Sequence, residues 1–140
     1  MSAHAPILLV EDNPMDVDLT LRAFKRRQVA NTVEVARDGE EALAWIPRWE
    51  AGAPQPALIL LDLKLPRVDG LDVLRRLKLH AVFRTIPVVV LTTSAEDVDV
   101  RAAYLLGANS YVVKPGDFDA FVQAVGQIDH YWTALNQAPP

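Results

Sequence analysis

The sequence contains no cysteine, so disulfides and thiolate metal sites are excluded. It has no basic N-terminal region, and its first apolar run, Ile7 to Val10, ends at Glu11 after four residues. A run that short builds neither a signal peptide nor a membrane span. Positive charge is not in excess. Fourteen Lys and Arg against 18 Asp and Glu give a formal charge of −4 and a pI near 5.3, and an acidic surface repels a phosphate backbone. No linker, low-complexity tract or solenoid-length repeat interrupts the chain. These absences predict a cytoplasmic protein with neither a nucleic-acid nor a membrane partner. What is present is 51% hydrophobic and 23% charged residues over 140 positions, which is enough for one domain with an unaided core. The pattern places that domain at residues 5–136, with no output domain after it.

Along the chain, short apolar runs alternate with helical periodicity. Ile7–Val10, Val33–Ala36, Ala57–Leu61, Ile86–Leu91 and Ser110–Val113 read as strands. Asn13-Pro14 opens a helix, since asparagine caps and proline is tolerated at the first helical position. Asp38 and Glu41 form a capping box for the second helix, and "PRWEAGAPQP" reads as a break and a surface loop. Asp69-Gly70 starts the third helix, and Ser94 and Asp97 form a second capping box for the fourth. Gly107 stops the fourth helix, and the last runs from Phe118 to about Leu135.

Five strands this short and this apolar, each followed by a helix, predict a doubly wound α/β fold: a parallel sheet covered on both faces. In such sheets ligands bind beyond the carboxyl ends of the strands. The polar residues that follow the strands are then the candidates: Glu11-Asp12, Asp62, Thr92-Thr93 and Lys114-Pro115. Three carboxylates at one edge repel each other and raise one another's pKa. A hard cation with oxygen ligands, Mg²⁺ by preference, relieves them. Adding a lysine and a hydroxyl equips the edge to receive a phosphoryl group, whose transfer needs alignment and charge neutralisation. Any one of these acids alone is as easily a helix cap or a solvated loop residue; the whole set, all at strand ends, is not.

The runs "LLVEDN", "LILLDLKLPRVDG", "PVVVLTTS" and "GANSYVVKP", in that order and spacing, resemble the receiver domain of two-component response regulators over nearly the whole chain. The resemblance implies a flavodoxin-like (βα)5 three-layer sandwich with strand order 2-1-3-4-5. It implies that Asp62 accepts phosphate from a histidine kinase, and that Asp12, Asp62 and the Lys64 backbone carbonyl bind Mg²⁺, with Glu11 acting through water. Lys114 pairs with Asp62 and then with a phosphoryl oxygen. Thr92 moves onto the phosphoryl, Tyr111 turns inward, and Lys114-Pro115 is cis. A narrower likeness, carried by "VEDNPMDVDLTLRAF", "DLKLP", "LTTS" and "HYW", is to short single-domain regulators partnered with phytochrome kinases. On this reading the protein is a phosphoacceptor rather than an enzyme.

Two other functions compete. A Mg²⁺-dependent aspartyl phosphatase would carry a second acid two residues after its nucleophile, where Lys64 stands. A flavin- or nucleotide-binding domain would carry a glycine-rich loop after the first strand, where "EDNPMD" stands. His4, His80 and His130 lie too far apart to form a site and read as surface residues. Trp45 and Trp49 read as packing. On the last helix, Trp132 and Leu135 continue the apolar stripe with Tyr131 beside them, beyond the reach of a five-residue strand. That overhang predicts a homodimer interface.

Overall fold

The computed structural model describes residues 4–140. Five parallel strands form one sheet in the order β2-β1-β3-β4-β5: β1 (Ile7–Val10), β2 (Val33–Ala36), β3 (Leu58–Leu61), β4 (Val88–Thr92) and β5 (Ser110–Val113). The helices between them are α1 (Pro14–Arg26), α2 (Gly39–Glu50), α3 (Gly70–Leu79), α4 (Asp97–Leu105) and α5 (Phe118–Asp129). Alternate strand residues serve opposite faces. Leu8, Val10, Ile59, Leu61, Val88 and Val90 pack with α2, α3 and α4, while Ile7, Leu9, Leu58, Leu60, Val89 and Leu91 pack with α1 and α5. β1 and β3 are covered on both faces and every one of their residues is buried, which is why they read as unbroken apolar runs. Among the described residues, no helix is long and apolar enough to cross a membrane.

The helices that start at Pro14, Gly39, Gly70 and Phe118 begin where the sequence places them, and two of them carry the side-chain caps read from it. Asn13 accepts from the N–H groups of Met15 and Asp16. Asp38 accepts from Glu41 N–H, and Glu41 reaches back to the N–H of Arg37. Three other expectations need correction. α2 runs on through Pro47 to Glu50, so the loop begins only at Ala51. An interior proline costs a helix about 3 kcal/mol; here the far side is held by buried Trp49, edge-on to Phe83 at 5.3 Å and stacked on Trp45 at 6.4 Å. Ser94 does not cap α4, which starts after Glu96 with no side-chain cap; its hydroxyl instead donates to Asp99 Oδ2 at 2.5 Å. His80 is not simply a surface residue, because its Nδ1 accepts from the N–H groups of Val82 and Phe83 and its ring stacks on Phe83 at 4.3 Å. The stop at Gly107 holds, with φ +106°.

The C-terminal stretch divides the expected stripe. After Asp129 the chain widens into a π-helical turn over His130–Leu135, where Thr133 Oγ1 donates back to the Asp129 carbonyl at 2.7 Å. The turn lays Trp132 against the core between the sheet and α1/α5. Tyr131 and Leu135 stay exposed, at 49% and 65%. Trp132 is partly buried: one side of its indole packs on its own core and the rest stays open beside Tyr131.

Candidate functional site

Strand register alone brings the candidate residues together. Val10 is level with Leu61, and Leu61 with Val90, so the residues that follow β1, β3 and β4 leave the sheet side by side. The ladder carries on into the loops. Asp62 N–H donates to the Val10 carbonyl at 3.0 Å and Lys114 N–H to the Thr92 carbonyl at 2.7 Å. β1 and β3 flank the point where the chain reverses its direction of travel across the sheet, which is where open α/β sheets hold their ligands. Gly70 fixes the approach of α3 to this edge. A Cβ there would come within 2.4 Å of the Asp62 carbonyl oxygen and 2.5 Å of Leu63 Cα, so only glycine lets α3 start against the loop that carries Asp62.

Glu11, Asp12 and Asp62 each offer a carboxylate oxygen, all within 4.8 Å of one another. Glu11 and Asp62 are buried and Asp12 is exposed. An all-oxygen donor set open to water on one side fits a hard divalent cation that keeps part of its hydration, and these three side chains would hold it. Lys64 is exposed, and its N–H donates to Asp62 Oδ1 at 3.3 Å.

Lys114 is the counter-charge. Its Nζ donates to Glu11 Oε1 at 2.6 Å, Asp16 Oδ2 at 2.8 Å and Asp62 Oδ2 at 3.2 Å, so its three protons meet three carboxylates. Burial alone would lower this ammonium, but the hydrogen bonds to Asp16 and Glu11 and the charge of Asp62 hold it above the usual lysine range. The cluster still has more carboxylates than cations. Burial pushes the Glu11 carboxyl up to about 7, against the pull of Lys114 and with a further push from Asp62.

Thr92 ends β4 fully buried, and its Oγ1 has no hydrogen-bond partner. An unsatisfied buried hydroxyl costs about 1–3 kcal/mol, a cost that a ligand oxygen at this edge would remove. Tyr111 is half-buried, with its hydroxyl donating to the Ser94 carbonyl at 2.8 Å, and burial raises its phenol above the usual range. The phenol thus reads the backbone two residues beyond Thr92. The Lys114–Pro115 bond is trans, and the described residues include no cis peptide. The cis expectation is therefore corrected; for an X–Pro bond trans is favoured by about 0.5–1 kcal/mol unless the surroundings reverse it.

The sequence signals found Glu11, Asp12, Asp62, Thr92 and Lys114 and missed Asp16. It stands in the first turn of α1, where an acid already has a reason to be, at the positive end of the helix dipole.

The response regulator receiver domain model matches residues 7–126. The probable methanogenesis regulatory protein FilR2 of Methanothrix harundinacea is 45% identical over 95% of this chain and 86% of its own length. Response regulator Rcp1 of Synechocystis sp. is 38% identical over 90% of this chain and 87% of its own. The Mn²⁺-bound crystal structure of Rcp1 matches with a TM-score of 0.87 at 36% identity, covering 97% of this chain and 99% of that one. The phosphorylated cyanobacterial phytochrome response regulator RcpA matches with a TM-score of 0.90 at 38% identity, over 98% and 99% of the two chains.

Proposed function

The chain belongs to the response regulator receiver family, and from that premise we propose that Asp62 takes a phosphoryl group from the phosphohistidine of a sensor kinase. An Asp62 carboxylate oxygen attacks phosphorus in line, the P–N bond to the imidazole breaks, and the departing nitrogen keeps the bonding pair. Lys114 holds a positive charge against Asp62 Oδ2, on the oxygen side where negative charge accumulates. Asp12, Asp62 and the Lys64 carbonyl, with Glu11 through water, would hold Mg²⁺, which would supply the remaining charge neutralisation. The observation that carries the reading is Thr92: a fully buried hydroxyl with no partner, at the end of the strand beside Asp62. A phosphoryl oxygen gives it one. Thr92 then moves toward Asp62, and the backbone shift reaches Ser94 and the hydroxyl of Tyr111, a two-state element biased by contacts that only the phosphoryl makes. The protein is a phosphoacceptor in this scheme, and its chemistry ends at autophosphorylation and autodephosphorylation.

Incubation with Mg²⁺ and a small phosphodonor is expected to add the mass of one phosphoryl group, labile to base, and to change amide exchange across α4, β5 and α5. An unmodified chain at saturating donor overturns the reading. For the kinase we propose a phytochrome-type light sensor, supported by the likeness to Rcp1 and RcpA. FilR2 is more similar in sequence and carries a methanogenesis name, so phosphotransfer from a phytochrome kinase should be timed against transfer from an unrelated kinase, with equal rates counting against a light sensor. For assembly we propose a homodimer that uses exposed Tyr131 and Leu135 with the open part of Trp132 between them. Light scattering should give twice the chain mass at micromolar concentration and a single chain for Leu135→Glu. A monomeric wild type, with and without phosphorylation, would end that idea.

A further inference from the structure

Lys114 has one carboxylate partner more than the phosphoacceptor chemistry uses. Of its three contacts, the one to Asp62 is the longest at 3.2 Å, while Glu11 and Asp16 stand at 2.6 and 2.8 Å. Glu11 and Asp62 belong to the acidic cluster whose oxygens lie within 4.8 Å of one another, and Asp16 does not. A cation on that cluster draws on two of the three groups that hold Lys114 and leaves the third. Asp16 is also firmly placed. Its N–H donates to Asn13 Oδ1 and its carbonyl accepts from Thr20 Oγ1 at 2.7 Å, so its backbone is fixed at both ends of the turn while its carboxylate faces Lys114. Its side chain is 28% exposed against 7% for Lys114.

We propose that Asp16 is a positioning residue that anchors the Lys114 ammonium from the helix side, keeping it in reach of Asp62 when the other two carboxylates are engaged. The proposal rests on Asp62 being the phosphoacceptor. With Asp16 holding one N–H, the remaining donors of Lys114 are directed at Glu11 and Asp62, the position a phosphoryl on Asp62 would occupy. Without Asp16 the ammonium swings on its four-carbon stem and is no longer held in line with Asp62. Its loss from that position slows phosphoryl uptake, and displacements of about 1 Å at a reacting centre cost on the order of a hundredfold.

The test uses Asp16→Asn, which keeps the size of the side chain and the backbone bonds of the turn. Two quantities are read. The first is the rate of phosphorylation by a small donor at saturating Mg²⁺, followed by intact mass. The second is the ¹H–¹⁵N ammonium resonance of Lys114 in metal-free protein, identified by its loss in Lys114→Met. Wild type is expected to show a protected ammonium signal. Asp16→Asn should exchange-broaden it and lower the rate by about ten- to a hundredfold, and Asp16→Glu should recover part of both. A loss of helix stability alone would leave the ammonium signal in the folded fraction. If wild type takes up phosphate and Asp16→Asn matches it in rate, or keeps the same ammonium signal, the anchoring role is wrong while the phosphoacceptor reading stands. If wild type takes up none, the phosphoacceptor reading fails, and the ammonium signal still decides whether Asp16 holds Lys114.

Discussion

Asp62→Asn is expected to reduce phosphoryl labelling to background while leaving the fold in place. The substitution is nearly isosteric. The amide oxygen can still accept from Lys64 N–H, as Asp62 Oδ1 does at 3.3 Å, and the backbone bond to the Val10 carbonyl is untouched. What is lost is the anionic oxygen, and an amide at neutral pH is no nucleophile toward phosphorus. The variant also removes one charge from a crowded site. Asp62 is one of the groups that push Glu11 up, so Glu11 should titrate lower in the variant. The change in unfolding free energy should stay within about 1–2 kcal/mol, the range of an ordinary point substitution. Intact mass after treatment with phosphodonor and Mg²⁺ gives the first result, and urea unfolding the second. A labelled Asp62→Asn protein would move the phosphoacceptor elsewhere, and a variant that does not fold would make the loss of labelling meaningless as a site assignment.

The architecture was legible because its signals are local and repeated. Ile7–Val10, Val33–Ala36 and Ser110–Val113 end where the sequence places them, since in each case a polar residue or a cap follows a short apolar run. Placing Glu11, Asp12, Asp62, Thr92 and Lys114 together needed only one further step: in a parallel sheet, all strands end at the same edge. The misses have a common cause, which is that tertiary contacts overrode a local rule. Pro47 reads as a helix breaker until Trp49 is seen buried against Phe83. Ser94 reads as a cap until Asp99 takes its hydroxyl. Trp132 reads as part of an overhanging stripe until a π turn is seen to pack one side of it on the core. Asp16 is the extreme case. Its partner Lys114 lies 98 residues away, and no periodicity or spacing in the sequence links the two.

Lys114→Ala should be the most destabilising change at the site, and its cost should depend on metal and pH. One ammonium, 7% exposed, meets Glu11 at 3% and Asp62 at 11% exposure, with Asp16 beside them. Breaking a buried pair by removing one partner leaves uncompensated charge, at a typical cost of about 3–5 kcal/mol. Here two buried carboxylates are left facing each other. The protein can relieve this in two ways, and each predicts a dependence. The first is protonation. The folded pKa of Glu11 is already raised from 4.5 to about 7, by burial foremost. A carboxyl raised on folding contributes stability that is complete below its unfolded pKa and lost as pH rises through the folded value. Without Lys114 the folded pKa climbs further, so the variant should lie closest to wild type near pH 5 and fall progressively behind it through pH 7 and above. The second is a cation. Mg²⁺ binding the native state and not the unfolded one returns about 2.7 kcal/mol at a hundred times its dissociation constant, and the variant, freed of a competing ammonium, should bind it at least as tightly as wild type. Urea unfolding at pH 5 and pH 8, with and without Mg²⁺, measures all three terms. A variant as stable as wild type at pH 8 in the absence of metal would mean that Lys114 does not hold these carboxylates together. A large loss of Mg²⁺ affinity would mean that it serves the metal site rather than competes with it. The expected protein is one that folds on Mg²⁺, binds it well, and passes on little of the phosphoryl signal, because the group that meets the phosphoryl charge is gone.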